Sequence, residues 1–202
     1  MADHGGPAVP REVGRLGVGP RLMRVAARFQ QQAARLDLPT YPIDGGFAET
    51  HAQAARDHDC PGPVEAVLRR VRSDDAWLRA NGPYLRCHGD VHPWNAVAAT
   101  PSGPWRLIDP IPRTAHWAWD AAYAQLTSGT PTTPDLISLL AAERARLGAG
   151  RPSRGQLQRI RTILLAWSSV MWWSLLPQRC SEPWWADQVR GNLNRLARLS
   201  RE

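Results

Sequence analysis

Apolar residues recur at helical spacing through most of the chain and in short unbroken runs in one stretch of it. Leu22, Val25, Phe29, Ala33 and Leu36 fall three or four apart behind Pro20 and predict a helix over 20–36. Val64, Val67, Leu68, Val71 and Leu78 predict a second over 63–78. Thr133 and Pro134 open another that Gly148 closes. Leu157, Ile160, Leu164, Trp167, Met171 and Leu175 give an amphipathic helix over 156–176, and Ser181 caps a last one carrying Val189, Leu193, Leu196 and Leu199. Trp167, Trp172, Trp173, Trp184 and Trp185 are expected to pack these two helices together. Residues 1–19 are rich in Gly and Pro without sustained periodicity and read as a tail or linker remnant. Residues 39–62, with several Pro, Gly and Asp, read as mostly loop.

The texture changes after residue 83. Tyr84–Cys87, Ala96–Ala99 and Pro104–Ile108 are short strand-like runs, and Thr100-Pro101-Ser102-Gly103 separates the last two as a hairpin turn. The expected fold is therefore mainly α with a small β-hairpin element. The 202 residues suffice for one domain with a real core.

Charge narrows the classes only a little. The formal net charge is +7, and all 25 basic residues are Arg, because the sequence contains no Lys. A basic balance admits anionic partners, but no dense basic run is present, so a nucleic-acid partner is not expected. Cys60, Cys87 and Cys180 stand far apart with no C-x-x-C pair, which fits a reducing cytoplasm. Met1–Pro20 lacks a signal-peptide layout, and the longest uncharged apolar stretch, Ile163–Leu176, is too short to span a bilayer. His51 and His58, with Asp57 and Asp59, show no convincing metal-ligand spacing.

The chemistry concentrates between His88 and Asp120. His88-Gly89-Asp90-Val91-His92-Pro93-Trp94-Asn95 carries the spacing H-x-D-x-x-x-x-N, the pattern of a kinase catalytic loop, and Ile108-Asp109-Pro110 follows. Phosphoryl transfer to an alcohol needs a carboxylate near the attacking hydroxyl, and Asp90 offers one. Magnesium is a hard cation that takes oxygen ligands, and an Asn carbonyl with an Asp carboxylate suits it. Antiparallel pairing across the hairpin brings Asn95 and Asp109 to the same end of the ribbon, with Asp90 on the loop just before. Each residue alone also fits a plain structural role: Asp90 in a turn, Asn95 at a loop end, Asp109-Pro110 as a strand stop. His92 could be a base or a structural member of the loop, and His88 reads as a buried orienter.

These residues resemble the aminoglycoside phosphotransferase family. His88–Val97 is similar to its H-G-D-x-H-x-x-N loop and Trp105–Pro110 to its I-D-P segment, in a form close to the streptomycin 6-kinase and hydroxyurea kinase branch. The resemblance implies a protein-kinase-like carboxy-terminal lobe over 20–202, with the amino-terminal β lobe missing. It implies Asp90 as catalytic base, Asn95 and Asp109 as magnesium ligands, His88 as loop-ordering and Asp120 as loop-bracing. Ile108 is implied to pack under the adenine of ATP. Two departures stand out. Ala115-His116-Trp117 replaces a usual Gly-Asp-Pro, which leaves the path of that loop open, and no Lys is present to pair with nucleotide phosphates. Arg, a planar fork, does not replace that point charge.

The expected activity is ATP-dependent phosphotransfer to a hydroxyl of an antibiotic-like small molecule, with ATP and magnesium required. A polycationic aminoglycoside is not expected as acceptor of so basic a chain. The missing lobe would come from a separate chain, or the surface around Ile108 would be covered in a homo-oligomer. The alternative is an inactive remnant or a small-molecule or metal-binding module on the same scaffold. A metallophosphoesterase, from Asp90-Val91-His92, lacks the further His clusters it needs, since His116 is the sole later His.

Overall fold

The computed structural model describes residues 18–37, 39–56, 62–100, 103–127 and 135–175. Their elements run, in chain order, α1 (Val18–Ala33), β1 (Tyr41–Ile43), α2 (Gly45–Arg56), α3 (Gly62–Ala80), β2 (Tyr84–Cys87), a 3-10 turn (Pro93–Asn95), β3 (Ala96–Ala98), β4 (Trp105–Leu107), β5 (Arg113–His116), α4 (Trp119–Thr127), α5 (Leu136–Arg146) and α6 (Arg154–Ser174). The described residues form a mainly helical protein with two small sheets, one ordered β1-β5-β2 and the other a β3-β4 hairpin.

Contacts divide these residues into two compact units within the stretch expected as one lobe. The first holds the described residues up to Tyr41 together with Leu85–Pro152. Here α1 packs on α5 and on β4, and α4 packs on α5. The apolar stripe of α1 sends Leu22, Met23 and Ala26 fully inside, where they share a core with Trp119, Leu136, Ile137 and Leu140. Each large side chain so buried contributes roughly 1.5–3 kcal/mol. Leu36, expected at the end of this helix, lies beyond it and is half exposed.

The second unit holds Pro42–Tyr84 and the described residues from Ser153 onward. Helix α2 packs on α3 and α6, and α3 packs on α6. Ala48, Ala52 and Ala55 are fully buried along α2, so small side chains let its backbone come close. Val64, Val71 and Leu78 of α3 and Ile160, Leu164 and Trp167 of α6 are buried as their spacing predicts. Helix α6 opens with a capping box: Gln156 N–H donates to Ser153 Oγ at 3.2 Å, and Ser153 N–H donates to Gln156 Oε1 at 2.8 Å.

Two expectations are corrected. The stretch 39–62 is not mostly loop, because it contains β1 and the helix α2. Asp44 starts that helix by accepting the Phe47 N–H at 3.1 Å, which turns a cluster of apparent breakers into a cap. The segment after Pro110 is not an open loop either. Arg113–His116 forms β5, the middle strand of its sheet. The helix expected from Ser181, with Trp184 and Trp185, lies outside the described residues, as do the tail 1–17, the turn residues 101–102 and the helix-opening Thr133 and Pro134. None of the described helices is long and apolar enough to cross a membrane.

Candidate functional site

The loop that leaves β2 at Cys87 is pinned at nearly every residue. Gly89 has φ +84°, and a Cβ there would sit 2.0 Å from the carbonyl oxygen of Ile111, so the backbones meet where only glycine fits. The Ile111 N–H donates to the His88 carbonyl at 2.9 Å, which closes the segment after Pro110 onto the loop. His88 is fully buried, with Phe29 edge-on at 5.1 Å. Its Nε2–H donates to the Ile108 carbonyl at 3.0 Å, and its Nδ1 accepts the Asp90 N–H at 3.4 Å. One nitrogen donates and the other accepts, so the ring is the neutral Nε2–H tautomer. Burial holds its pKa below the usual histidine value, in the same direction.

Asp90 follows, partly buried. Asn95, at the end of the 3-10 turn, donates from Nδ2 to Asp90 Oδ2 at 2.8 Å and to the Asp90 carbonyl at 3.0 Å. His92 Nε2 lies 3.4 Å from Asp90 Oδ1. Burial pushes the Asp90 pKa up, but hydrogen bonds from His92, the Tyr123 hydroxyl and Asn95 outweigh it, and the group titrates below its ordinary range. Asp90 is thus an ionised, oriented carboxylate at neutral pH. Because the side-chain nitrogen of Asn95 is committed to Asp90, its side-chain oxygen, Oδ1, is the end left to meet another group.

The hairpin pairs as the sequence predicts, with Ala96 opposite Leu107, Val97 opposite Arg106 and Ala98 opposite Trp105. Its register carries Asn95 and Asp109 to one end, where the Ile108 N–H donates to the main-chain carbonyl of Asn95 at 2.9 Å. Asp109 is exposed and is the sole described non-glycine residue at positive φ, at 52°. A left-handed backbone of this kind costs about 1–3 kcal/mol, and such strain clusters at working sites. Ile108 is half buried beside it. Among the described residues no three or more His, Cys, Asp or Glu form a metal cluster. The side-chain oxygens of Asn95 and Asp109 are of the kind that a hard divalent ion takes.

Asp120, in the first turn of α4, is fully buried beneath the loop. Its Oδ2 accepts the His88 N–H at 3.1 Å and its Oδ1 accepts the Gly89 N–H at 2.9 Å. Burial pushes its pKa up, against the pull of these bonds. Sequence reasoning missed the next residue along. Gln30 of α1 is buried and donates from Nε2 to Asp120 Oδ2 at 3.1 Å and to the Trp117 carbonyl at 2.9 Å. Its Oε1 accepts from Arg144 of α5 at 2.8 Å. One signal was available: Gln30 sits on the apolar stripe of α1, in line with Leu22, Ala26 and Ala33. Tyr123, one helical turn after Asp120, was also missed.

All six sequence-chosen residues therefore lie in the first unit, on the loop, the hairpin end and the helix beneath them. No family model and no curated protein matches the chain. Solved structures do match it in fold. A choline/ethanolamine kinase family protein from Mesorhizobium loti matches 97% of this chain with TM-score 0.69 at 12% identity, over 66% of its own length. A choline kinase from Streptococcus pneumoniae matches 98% of this chain with TM-score 0.65 at 15% identity, over 69% of its own length. An aminoglycoside phosphotransferase from Streptomyces rimosus, in complex with ADP and streptomycin, matches 82% of this chain with TM-score 0.57 at 16% identity, over 68% of its own length. The chain spans about two thirds of these proteins, and its fold is that of the corresponding part of choline kinase-like and aminoglycoside phosphotransferase-like enzymes.

Proposed function

We propose that this chain carries the catalytic loop and metal ligands of a phosphotransferase that moves a phosphoryl group from ATP to a hydroxyl of a small molecule. The observation that carries the reading is the clamp on Asp90. An ionised carboxylate is held at 2.8 Å by the Asn95 side-chain nitrogen, which turns the Asn95 side-chain oxygen, Oδ1, toward other partners at the hairpin end that also bears Asp109. The similar folds are named for choline, ethanolamine and an aminoglycoside, each a hydroxyl-bearing small molecule, which supports a hydroxyl acceptor.

In this reading Asp90 orients the attacking hydroxyl and takes its proton. Its lowered pKa makes it a weak base, so orientation is the larger part of its work. A loose phosphoryl-transfer transition state asks for that, since the proton leaves late. Asn95 and Asp109 hold magnesium, which screens charge on the phosphates when bound. Ile108 gives the nucleotide base an apolar floor, and His88 ties that residue to the loop through its Nε2–H bond to the Ile108 carbonyl.

The absence of Lys supports a second reading, a module that binds without turnover. No point charge in this sequence matches the one that grips nucleotide phosphates in the family it resembles. In the first reading a second chain supplies that grip. Calorimetric titration of the purified chain with ATP, with and without magnesium, tests the pair. The proposal expects binding that needs magnesium and weakens at least tenfold in Asp109→Ala, together with loss of any ATP consumption in Asp90→Ala. Magnesium-dependent binding without turnover, unaltered by an added cell extract, favours the binding module. ATP consumption that survives Asp90→Ala defeats the proposed role of that residue.

A further inference from the structure

Asp120 poses an electrostatic problem that its nearest neighbours do not solve. It is a fully buried carboxylate with no cation of the described residues bonded to it. Burying such a charge costs several kcal/mol unless it is well hydrogen-bonded or paired. One guanidinium, that of Arg144, reaches it through one intermediary. Arg144 donates to Gln30 Oε1 at 2.8 Å, and Gln30 Nε2 donates to Asp120 Oδ2 at 3.1 Å. The amide dipole of Gln30 therefore points its negative end at the cation and its positive end at the anion. It cannot flip without losing both bonds.

We propose that Gln30 and Arg144 are positioning residues for the Asp90 loop, acting through Asp120. A cation bonded directly to Asp120 would compete with the backbone for the carboxylate. A neutral amide satisfies part of one oxygen and leaves the charge directed at the His88 and Gly89 N–H groups. Gln30 is itself fixed, because Nε2 also donates to the Trp117 carbonyl at 2.9 Å and lies 3.6 Å from Cys87 Sγ. Arg144 is held in turn over the Trp117 ring at 5.2 Å. The chain of contacts thus joins α5, α1 and α4 to the loop through charge and dipole alone.

The titratable and charged groups around Asp120 are His88 from the loop, the Cys87 thiol from β2 and Arg144 from α5, with His116 of β5 close to Arg144. The consequence for turnover rests on the function proposed above, but the positioning does not. The test reads backbone amide exchange of the full chain by NMR, which requires no catalysis. Gln30→Met is expected to speed exchange at His88 and Gly89 at least tenfold relative to amides of α3 and α6. Gln30→Glu, of equal length, sets a second carboxyl against Asp120. Protection of the same two amides is then expected to fall about tenfold more between pH 5 and pH 8 than it does in the wild type. Arg144→Gln is expected to speed them about threefold. Unchanged exchange in Gln30→Met, or a change no larger than that of the α3 and α6 amides, overturns the proposal. A profile in Gln30→Glu no steeper than that of the wild type does so too, and that variant carries the test if Gln30→Met fails to fold. Unchanged exchange in Arg144→Gln removes Arg144 from the assignment. If the protein also proves active, Gln30→Met lowers kcat and leaves the KM for nucleotide nearly unchanged. If no activity is found, the exchange result stands by itself.

Discussion

The loop from His88 to Asn95 and the packing of α2, α3 and α6 are held by opposite means. In the helical unit most buried groups are small or apolar, with Ala48, Ala52 and Ala55 of α2 buried alongside Leu78, Ile160, Ile163 and Leu164, and Asp74 is the charged exception among the described residues. Its charged bonds sit largely outside, as in Arg79 with Asp75 at 3.0 Å. In the loop unit His88, Asn95, Gln30, His116 and Asp120 are all buried, and polar bonds set their positions. Apolar packing tolerates small adjustments of angle and distance, whereas a buried hydrogen bond fails when its partner moves an ångström. The difference shows where this protein spends stability to gain geometry.

Three perturbations sharpen the contrast. The largest effect is expected for Asp120→Ala, which takes the acceptor from the His88 and Gly89 N–H groups and one of two oxygen acceptors from Gln30 Nε2. It should cost about 3–5 kcal/mol in urea unfolding. A loss under 1 kcal/mol would mean that the loop is held by packing after all. Ala52→Leu fills the close approach of α2 to its neighbours and should cost about 1–3 kcal/mol by overpacking, with amide exchange at His88 and Gly89 unaltered. A change at those amides would show that the two regions are not separable in this way.

The last effect concerns acid, and near neutral pH it is the smallest. Burial first, and Arg144 second, lower the pKa of His116 to about 3. The unfolded chain takes up that proton below about pH 6.5 and the folded one does not, so stability falls as pH drops from there toward 3. The contribution is at most about 1.4 kcal/mol per pH unit. His116→Asn should remove about one proton from the uptake on unfolding near pH 5, measured as the slope of stability against pH. An unchanged slope would show that His116 titrates in the folded protein much as it does in the unfolded chain.

The helices α1, α3 and α6 and the β3-β4 hairpin were legible because their signals are local, an apolar stripe in one case and two short runs about a turn in the other. Helix α2 was not, since Asp44, Gly45 and Gly46 look alike whether they break a chain or cap a helix. Strand β5 was not, because its partners β1 and β2 lie far away in sequence and no alternation marks it. In the site, Asp90, Asn95 and Asp109 could be named from spacing and from the chemistry that oxygen ligands perform. Gln30 could not be tied to Asp120, ninety residues along the chain, by any pattern.

The sequence by itself determined which side chains were available for chemistry and which of them a hairpin would bring to one end, because residue type and short-range register are written locally. Tertiary structure alone decided the lowered pKa and the orientation of Asp90, the tautomer of His88 and the neutral link from Arg144 to Asp120. Those properties depend on burial and on partners from distant segments, and a group acquires both only when the chain closes around it.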